Sequence, residues 1–413
     1  MATSGVYNYN VTGEDIITEA LGLIGVYSVG EAIEATESAD ALRTLNFMIK
    51  ALQNRNMGLW LYKDLSLFLQ YETASYDIGL TGDNCSASSI KTEVATAAAS
   101  GASAVIVDSV TGFGDTFDRD GISAASTPTG AGSLTLGGAL ATDGIAVLSG
   151  QRKILIYSDA DESGDTFTVT GTNGNGVAVT ENITGPNTTT VYSTYEYKKI
   201  TSVTTDGAGT GNIEVGQVGD PVGIELDDKT IQWTNIGAAL STTLTLITTL
   251  TDDVAVDNHV YSYTTLSPRP LEILEAKLHD PNGYDRPLTI SSKTDYERLS
   301  YKTSSGLPNQ IYYDKQLNNG KLYTWPVCND AQYYIKMSAR LPIQIFDSLT
   351  DDCEFGAEWY EALSWNLAIR LAPKYGKPID AMMRNIAESF MTEAFAFDTE
   401  QEPTRINIVS RRY

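Results

Sequence analysis

One stretch near the C-terminal end of this sequence has a stronger helical pattern than any other. Between Asp351 and Lys377 large apolar side chains recur at every fourth residue, which places them on one face of an α-helix. They are Phe355, Trp359, Leu363, Leu367 and Leu371. The acidic residues at its start suit the positive end of a helix dipole, and Pro373 and Gly376 interrupt or end it. A helix with so much aromatic surface must be covered, either in a core or by copies of itself in an oligomer.

Three further helices are predicted. Thr12 and Asp15 resemble a capping box, and Gly25 ends the helix that follows them. Its apolar stripe is Ile16, Ile17, Ala20, Leu21 and Ile24. The second stripe is Ala39, Leu42, Leu45, Ile49 and Leu52. The last stripe follows Pro378 and consists of Ile379, Met382, Ile386, Phe390 and Ala394. We expect the first two helices to form a hairpin that the C-terminal helices cover.

The middle of the chain changes composition. From about residue 76 to residue 263 Gly, Thr, Ser, Val and Asp dominate, and short β-type runs alternate with glycine-rich turns, which is typical of β-sandwich or barrel modules. Residues 82–117 and 217–263 look like two halves of one module. Residues 118–216 would then be a second, immunoglobulin-like sandwich inserted into the first.

Strands are also predicted on both sides of this region. A strand or strand pair follows Trp60. Beyond residue 268, a strand with a local irregularity follows Leu271, a hairpin turns at Asn319-Gly320, and a third strand contains Ile335. We expect these last strands to form one small antiparallel sheet beside the C-terminal helix.

The predicted fold class is α+β, with a discontinuous and mainly helical core. The core is built from residues 1–75 (helical hairpin and strand) and 264–397 (small sheet and C-terminal helices). A large all-β, immunoglobulin-like region, 76–263, is inserted into it, and 398–413 form an extended C-terminal arm.

Charge limits the partners of the chain. There are 28 Lys and Arg against 52 Asp and Glu, a net charge of −24, so broad binding of nucleic acid is not expected, although a local basic patch stays open. The last nine residues differ, because Arg405, Arg411 and Arg412 stand there without any acid. Ile406 and Ile408 alternate with a polar residue. The segment could therefore add a strand to a partner, or it could be a frayed terminus.

No pattern in the sequence predicts catalysis. The three cysteines are far apart, which fits neither a disulfide framework nor a zinc site. The two histidines, His259 and His279, lack metal spacing, and we expect them at the surface or on strands. Residues 159–165 echo a calcium loop, but Thr170 stands where glutamate is required, so we expect an acidic turn. We predict no catalytic residue, cofactor or metal, no signal peptide and no membrane span.

Several stretches resemble one protein family. They are ITEALGLIGVYSVGEAIEATESADALRTLNFMIKALQNRNMGLWLYKDL, RPLTISSKTDYERL, GLPNQIYYDKQLNNGKLYTWPV, SARLPIQIFDSLTDD and EWYEALSWNLAIRLAPKYG. Together they are similar to the head-to-tail adaptor, or tail accessory factor, of short-tailed bacteriophages, over roughly residues 12–75 and 264–390. The likeness lies in the order and length of the segments, since none of them is a catalytic motif.

The resemblance implies a structural connector and no enzyme. Twelve copies would form a ring below the portal protein, extend the DNA channel without binding DNA specifically, and offer a platform to tail nozzle or fibre proteins. The place expected is the head-tail junction of a virion assembled in the bacterial cytoplasm. The alternative is a phage surface or tail recognition protein whose β modules bind a receptor or glycan.

Two candidate sites follow from this interpretation. The subunit-packing helix would use Phe355, Trp359, Tyr360, Leu363, Trp365, Leu367 and Leu371. The arm that docks on the portal or on a neighbouring subunit would use Arg405, Ile406, Ile408, Val409, Arg411, Arg412 and Tyr413.

Overall fold

A computed structural model of the chain describes residues 9–27, 33–54, 59–113, 116–281 and 283–398. The chain divides into two compact units. The terminal unit combines Met1–Tyr62 with Pro342–Tyr413, and the central unit is Lys63–Leu341. The α-helices of the described residues are α1 (Gly13–Leu23), α2 (Ala35–Gln53), α3 (Lys293–Glu297), α4 (Tyr360–Leu371) and α5 (Ala381–Phe397).

The strands lie between α2 and α4 in the sequence. They are β1 (Tyr62–Phe68), β2 (Ser75–Ile78), β3 (Cys85–Ser86), β4 (Ser89–Thr96), β5 (Ala104–Val107), β6 (Asp118–Ser126), β7 (Gly132–Ser133), β8 (Ala141–Thr142), β9 (Ile145–Ser158), β10 (Thr166–Thr172), β11 (Ala178–Thr184), β12 (Thr190–Thr205), β13 (Ile213–Gln217), β14 (Pro221–Glu225), β15 (Ile231–Leu240), β16 (Thr243–Leu246), β17 (His259–Tyr263), β18 (Glu272–His279), β19 (Asp285–Pro287), β20 (Thr289–Ile290), β21 (Gln310–Asp314), β22 (Gly320–Trp325) and β23 (Tyr334–Arg340).

The predicted fold class is wrong. Strands make up 40% of the structure and helices 19%, so the chain is mostly β rather than built on a mainly helical adaptor core. The strands expected in the small sheet beside the helices belong to the central unit instead. They also form two sheets. β23 pairs with β18, whereas β21 and β22 form their own hairpin.

Helix α1 follows the sequence pattern closely. Its capping box is confirmed, because the backbone N–H of Asp15 donates to Thr12 Oγ1 and that of Thr12 donates to Asp15 Oδ2. The backbone N–H and the hydroxyl of Thr12 hold the pKa of Asp15 below its ordinary value. The predicted stripe is buried, and Gly25, with φ of 65°, follows the helix.

Helix α2 buries most of the predicted stripe, including Leu45, Ile49 and Leu52, but not its first residue. Ala39 is exposed, whereas Ser38 and Thr44 are buried together with Leu45 and Ile49. Burial of a hydroxyl is tolerated when it is hydrogen-bonded. The Ser38 hydroxyl donates to the carbonyl of Ala35, and that of Thr44 donates to the carbonyl of Asp40.

Helix α4 begins later than the sequence suggests. A 3-10 turn covers Ala357–Trp359, and the acidic residues before it form local contacts instead of capping the helix. Asp351 accepts the backbone N–H groups of Asp347 and Ser348, and Glu354 accepts that of Gln344. The same segment links the N-terminal and C-terminal parts of the terminal unit. The backbone N–H of Gly13 donates to the carbonyl of Asp351 at 3.1 Å.

One hydrophobic core fills the terminal unit. It joins residues of α1 and α2 with Phe355, Trp359 and the buried face of α4. Hydrogen bonds and an ion pair connect the segments at the edge of this core. The side-chain amide of Asn46 donates to the carbonyl of Phe346 and accepts its N–H, at 2.8 and 3.0 Å. Lys374 pairs with Asp40 at 2.6 Å.

The central unit contains a closed six-stranded barrel, in the order β14-β15-β16-β5-β4-β17. Between β5 and β14 the chain forms an eight-stranded sheet in the order β11-β10-β12-β9-β13-β6, with β7 and β8 paired to β12 and β9. The long strands β9 and β12 break register between Tyr192 and Glu196 and again between Tyr197 and Lys199. Such bulges bend a sheet. The residues of the eight-stranded sheet form one hydrophobic core.

A buried ion pair lies where the chain passes between the barrel and the eight-stranded sheet. Arg152 Nη2 on β9 lies 2.5 Å from Asp220 Oδ1, and each side chain is 2% exposed. The hydroxyl of Thr116 also donates to Asp220, and the side-chain amide of Gln217 donates to the carbonyl of Thr116. The segments leading into and out of the sheet are thus held at one point.

A second polar cluster lies in the barrel. Glu225 on β14 accepts the backbone N–H of His259 on β17, whose Nδ1 lies 3.1 Å from Glu225 Oε2, and the side-chain amide of Gln332 also donates to Glu225. Burial disfavours the charged carboxylate, but the contacts with His259 and Gln332 outweigh it. They leave the pKa of Glu225 below its ordinary value.

The lowered pKa of Glu225 predicts how the stability of the protein changes in acid. The contribution of Glu225 to the free energy of unfolding is present above the pKa of an unfolded glutamate and is lost as the pH falls through the lower folded-state value. We expect the Glu225→Gln variant to lose less stability than the wild type between about pH 5.5 and about pH 3. Urea unfolding at both pH values measures it, and equal losses would contradict the assignment.

Candidate assembly interface

Helix α5 turns its smaller residues toward the core. Ala387, Met391 and Ala394 are buried, and they recur at the spacing of one helix face. The predicted stripe differs from this buried face. Ala394 is the only one of its residues on α5 that is buried. Small side chains let α5 approach α4 closely. The side-chain amide of Asn366 donates to the carbonyl of Ala387 at 3.1 Å.

Five of the larger apolar residues of α5 lie on one side of that buried face, whereas Phe395 lies on the other. At about 100° per residue the five occupy positions roughly 40° to 140° away from it. They are Met382, Met383, Ile386, Phe390 and Phe397. Met382 is 68% exposed and Phe397 is 69% exposed, while the other three are half-buried. The opposite side carries the charged residues Arg384 and Glu388.

Helix α4 extends this surface. The Trp365 ring lies 6.3 Å from the Phe390 ring, and Ile369 follows one turn later. Both Trp365 and Ile369 are half-buried. The indole N–H of Trp365 donates to Glu361 Oε2 at 3.2 Å, which fixes the orientation of the ring. We call this surface the apolar flank. It consists of Trp365, Ile369, Met382, Met383, Ile386, Phe390 and Phe397.

The predicted subunit-packing residues fall into two groups. Five of them are buried in the core of their own unit, namely Phe355, Trp359, Leu363, Leu367 and Leu371. Tyr360 and Trp365 are half-buried and keep part of their rings accessible. Contact between subunits through this helix stays a prediction that depends on these two side chains. The arm residues Arg405, Ile406, Ile408, Val409, Arg411, Arg412 and Tyr413 lie outside the described residues.

The acidic and histidine positions have local structural roles. Both histidines lie on strands, and His279 Nδ1 lies 2.6 Å from Asp285 Oδ1. Residues 159–165 lie in the turn between β9 and β10, where Glu162 accepts the N–H groups of Thr210 and Gly211. In the part of the chain that the structure describes, no group of three or more His, Cys, Asp or Glu residues is arranged to hold a metal ion.

Sequence reasoning did not identify the apolar flank because it treated the largest apolar residues of α5 only as one helical stripe, together with Ala394. The spacing of Ala387, Met391 and Ala394 was the signal that could have identified the buried face instead.

No protein-family model matches the chain, and no curated protein matches it. Among the described helices, none is both long and apolar enough to cross a lipid bilayer.

Proposed function

We propose that this chain is a structural head-to-tail connector of a tailed bacteriophage. Copies form a ring, which the resemblance puts at twelve, below the portal protein. The ring extends the DNA channel without specific DNA contacts and offers an attachment platform to tail nozzle or fibre proteins. The proposal assigns no reaction to the chain and places it at the head-tail junction of the virion.

The apolar flank is the observation that carries this proposal. Exposed apolar patches with a polar surround mark interaction surfaces, and covering apolar area contributes roughly 25 cal/mol per Å². The flank lies on α4 and α5, and all its members except Phe397 fall within residues 264–390, which resemble the connector family. Its two most exposed members, Met382 and Phe397, make burial against a neighbouring copy favourable.

The assembly test compares two exposed phenylalanines of the terminal unit. Phe397 belongs to the flank, and Phe47 on α2, which is 67% exposed, does not. We expect Phe397→Glu to weaken ring formation at least about tenfold, because a charge would be buried at the contact. Phe47→Glu is the control and should assemble as the wild type does.

Native mass spectrometry with and without the portal protein measures the copy number. Equal assembly of the wild type and the Phe397→Glu variant would contradict the role of the flank. A chain that stays monomeric at every concentration, with its portal present, would contradict the connector function itself.

A further inference from the structure

A second surface of the terminal unit is a groove between α1 and α4. Its volume is about 540 Å³. Four carboxylates line it, those of Glu14, Asp15, Glu19 and Glu361, and among the described residues no lysine, arginine or histidine does. The groove is thus acidic without an internal counter-charge.

Two of these carboxylates are already engaged. Asp15 accepts hydrogen bonds from Thr12, and Glu361 accepts the indole N–H of Trp365. Glu14 and Glu19 are exposed, and neither has a cationic partner within the described residues. These two side chains are therefore available to a positively charged ligand.

Aromatic rings complete the groove. Tyr9 and Tyr360 line it and lie edge to face, with ring centroids 6.2 Å apart. Tyr9 is 72% exposed. A guanidinium group binds both to carboxylates and to the face of a tyrosine ring, so this lining suits arginine better than lysine.

The last nine residues of the chain have the matching chemistry. Arg405–Tyr413 contains three arginines and no acidic side chain, in a chain whose net charge is −24. Its apolar residues Ile406, Ile408 and Val409 could cover the exposed ring of Tyr9, since the other apolar side chains of the groove, Val11 and Ile16, are already buried.

Helix α5 ends beside this groove. Helices α4 and α5 are antiparallel, because Trp359 contacts Phe395 at 5.3 Å while Trp365 contacts Phe390. The end of α5 therefore lies next to the start of α4, where Tyr360 and Glu361 line the groove. Residues 399–404 can span about 20 Å when extended.

We propose that the groove between α1 and α4 binds the chain's own C-terminal segment, Arg405–Tyr413, in the lone subunit. This inference does not depend on the connector function, since groove and segment belong to one polypeptide. A partner that takes the segment must first displace it from the groove.

The test uses the full chain with the arginines neutralised, Arg405→Gln, Arg411→Gln and Arg412→Gln. The probe is a fluorescently labelled synthetic peptide with the sequence of Arg405–Tyr413, and its anisotropy reports binding at low ionic strength. We expect the triple variant to bind the peptide at least about tenfold more tightly than the wild type, whose tethered segment reaches millimolar effective concentration at the groove.

Glu14→Gln with Glu19→Gln, added to the triple variant, should weaken peptide binding about tenfold. The matched control, Glu34→Gln with Glu388→Gln, removes the same charge from exposed positions outside the groove and should leave binding unchanged. Circular dichroism checks that all variants stay folded.

Three results would overturn the proposal. They are a triple variant that binds no peptide, a wild type that binds it as tightly as the triple variant, and binding that the two groove substitutions leave unchanged. If the wild type binds the peptide more tightly after dilution, its groove was occupied by the C-terminal segment of a second copy. That result would also contradict the proposal for the lone subunit.

Discussion

Replacing Trp359 by alanine is expected to lower the free energy of unfolding of the terminal unit by about 4 kcal/mol. The indole is 1% exposed. Three rings surround it, those of Trp60, Phe355 and Phe395, with centroids 5.9, 5.8 and 5.3 Å away. Alanine would leave a cavity that these rings cannot fill, because they belong to separate segments of the chain.

Urea unfolding followed by far-UV circular dichroism measures this loss, since the long helices lie in the terminal unit. Trp365→Ala is the matched control on the same helix. Its ring is only half-buried, so we expect it to cost about 1 kcal/mol or less. Similar losses in the two variants would show that Trp359 does not hold the core together.

Removing the carboxylate of Asp220 is the second large effect. Asp220→Ala leaves Arg152 charged and buried without its partner, which costs about 3–5 kcal/mol in buried ion pairs. We expect a loss of that size in the free energy of unfolding of the central unit. Tryptophan fluorescence during urea unfolding follows the central unit through Trp233 and Trp325, and far-UV circular dichroism separates it from the terminal unit, which holds the other three tryptophans.

A double variant separates the charge from the packing. Arg152→Met combined with Asp220→Ala removes both charges and should regain more than half of the loss, because no uncompensated charge remains buried. Arg298→Ala, which breaks an exposed ion pair with Asp295, should change stability by less than about 0.5 kcal/mol. A loss below about 1 kcal/mol in Asp220→Ala would contradict the importance of the pair.

Features that depend on a few neighbouring residues could be predicted from the sequence. The capping box of Thr12, the buried stripe of α1 and the hairpin at Asn319-Gly320 each follow from short-range chemistry. The irregularity in β18 is also present, as a register shift between Ile273 and Glu275.

Choices that depend on distant partners could not be predicted. The pattern of Ile335 identified a strand, but its pairing with β18 rather than with the nearby hairpin is a long-range contact. The fold class was wrong for a related reason. Long helical stripes are conspicuous in a sequence, whereas many short strands are not, although here they outweigh the helices.

The candidate interface shows the same limit. Trp365, Met382, Ile386 and Phe390 were singled out from the sequence, but the last three only as members of a helical stripe. Hydrophobicity alone does not distinguish a side chain buried within its own chain from one left exposed for a partner. The alanines of α5 decided the orientation, because α4 accepts only a closely approaching face there.

The terminal unit is made from both ends of the polypeptide, and this has a consequence for synthesis on the ribosome. Helices α1 and α2 emerge first, but α4 follows only after the residues between Tyr62 and Pro342 have been translated. At about 5–20 residues per second this delay is roughly 15–55 s. Throughout that time Ile16, Leu21 and Leu45 lack their final cover, so the nascent chain is expected to need a chaperone until its last helices are made.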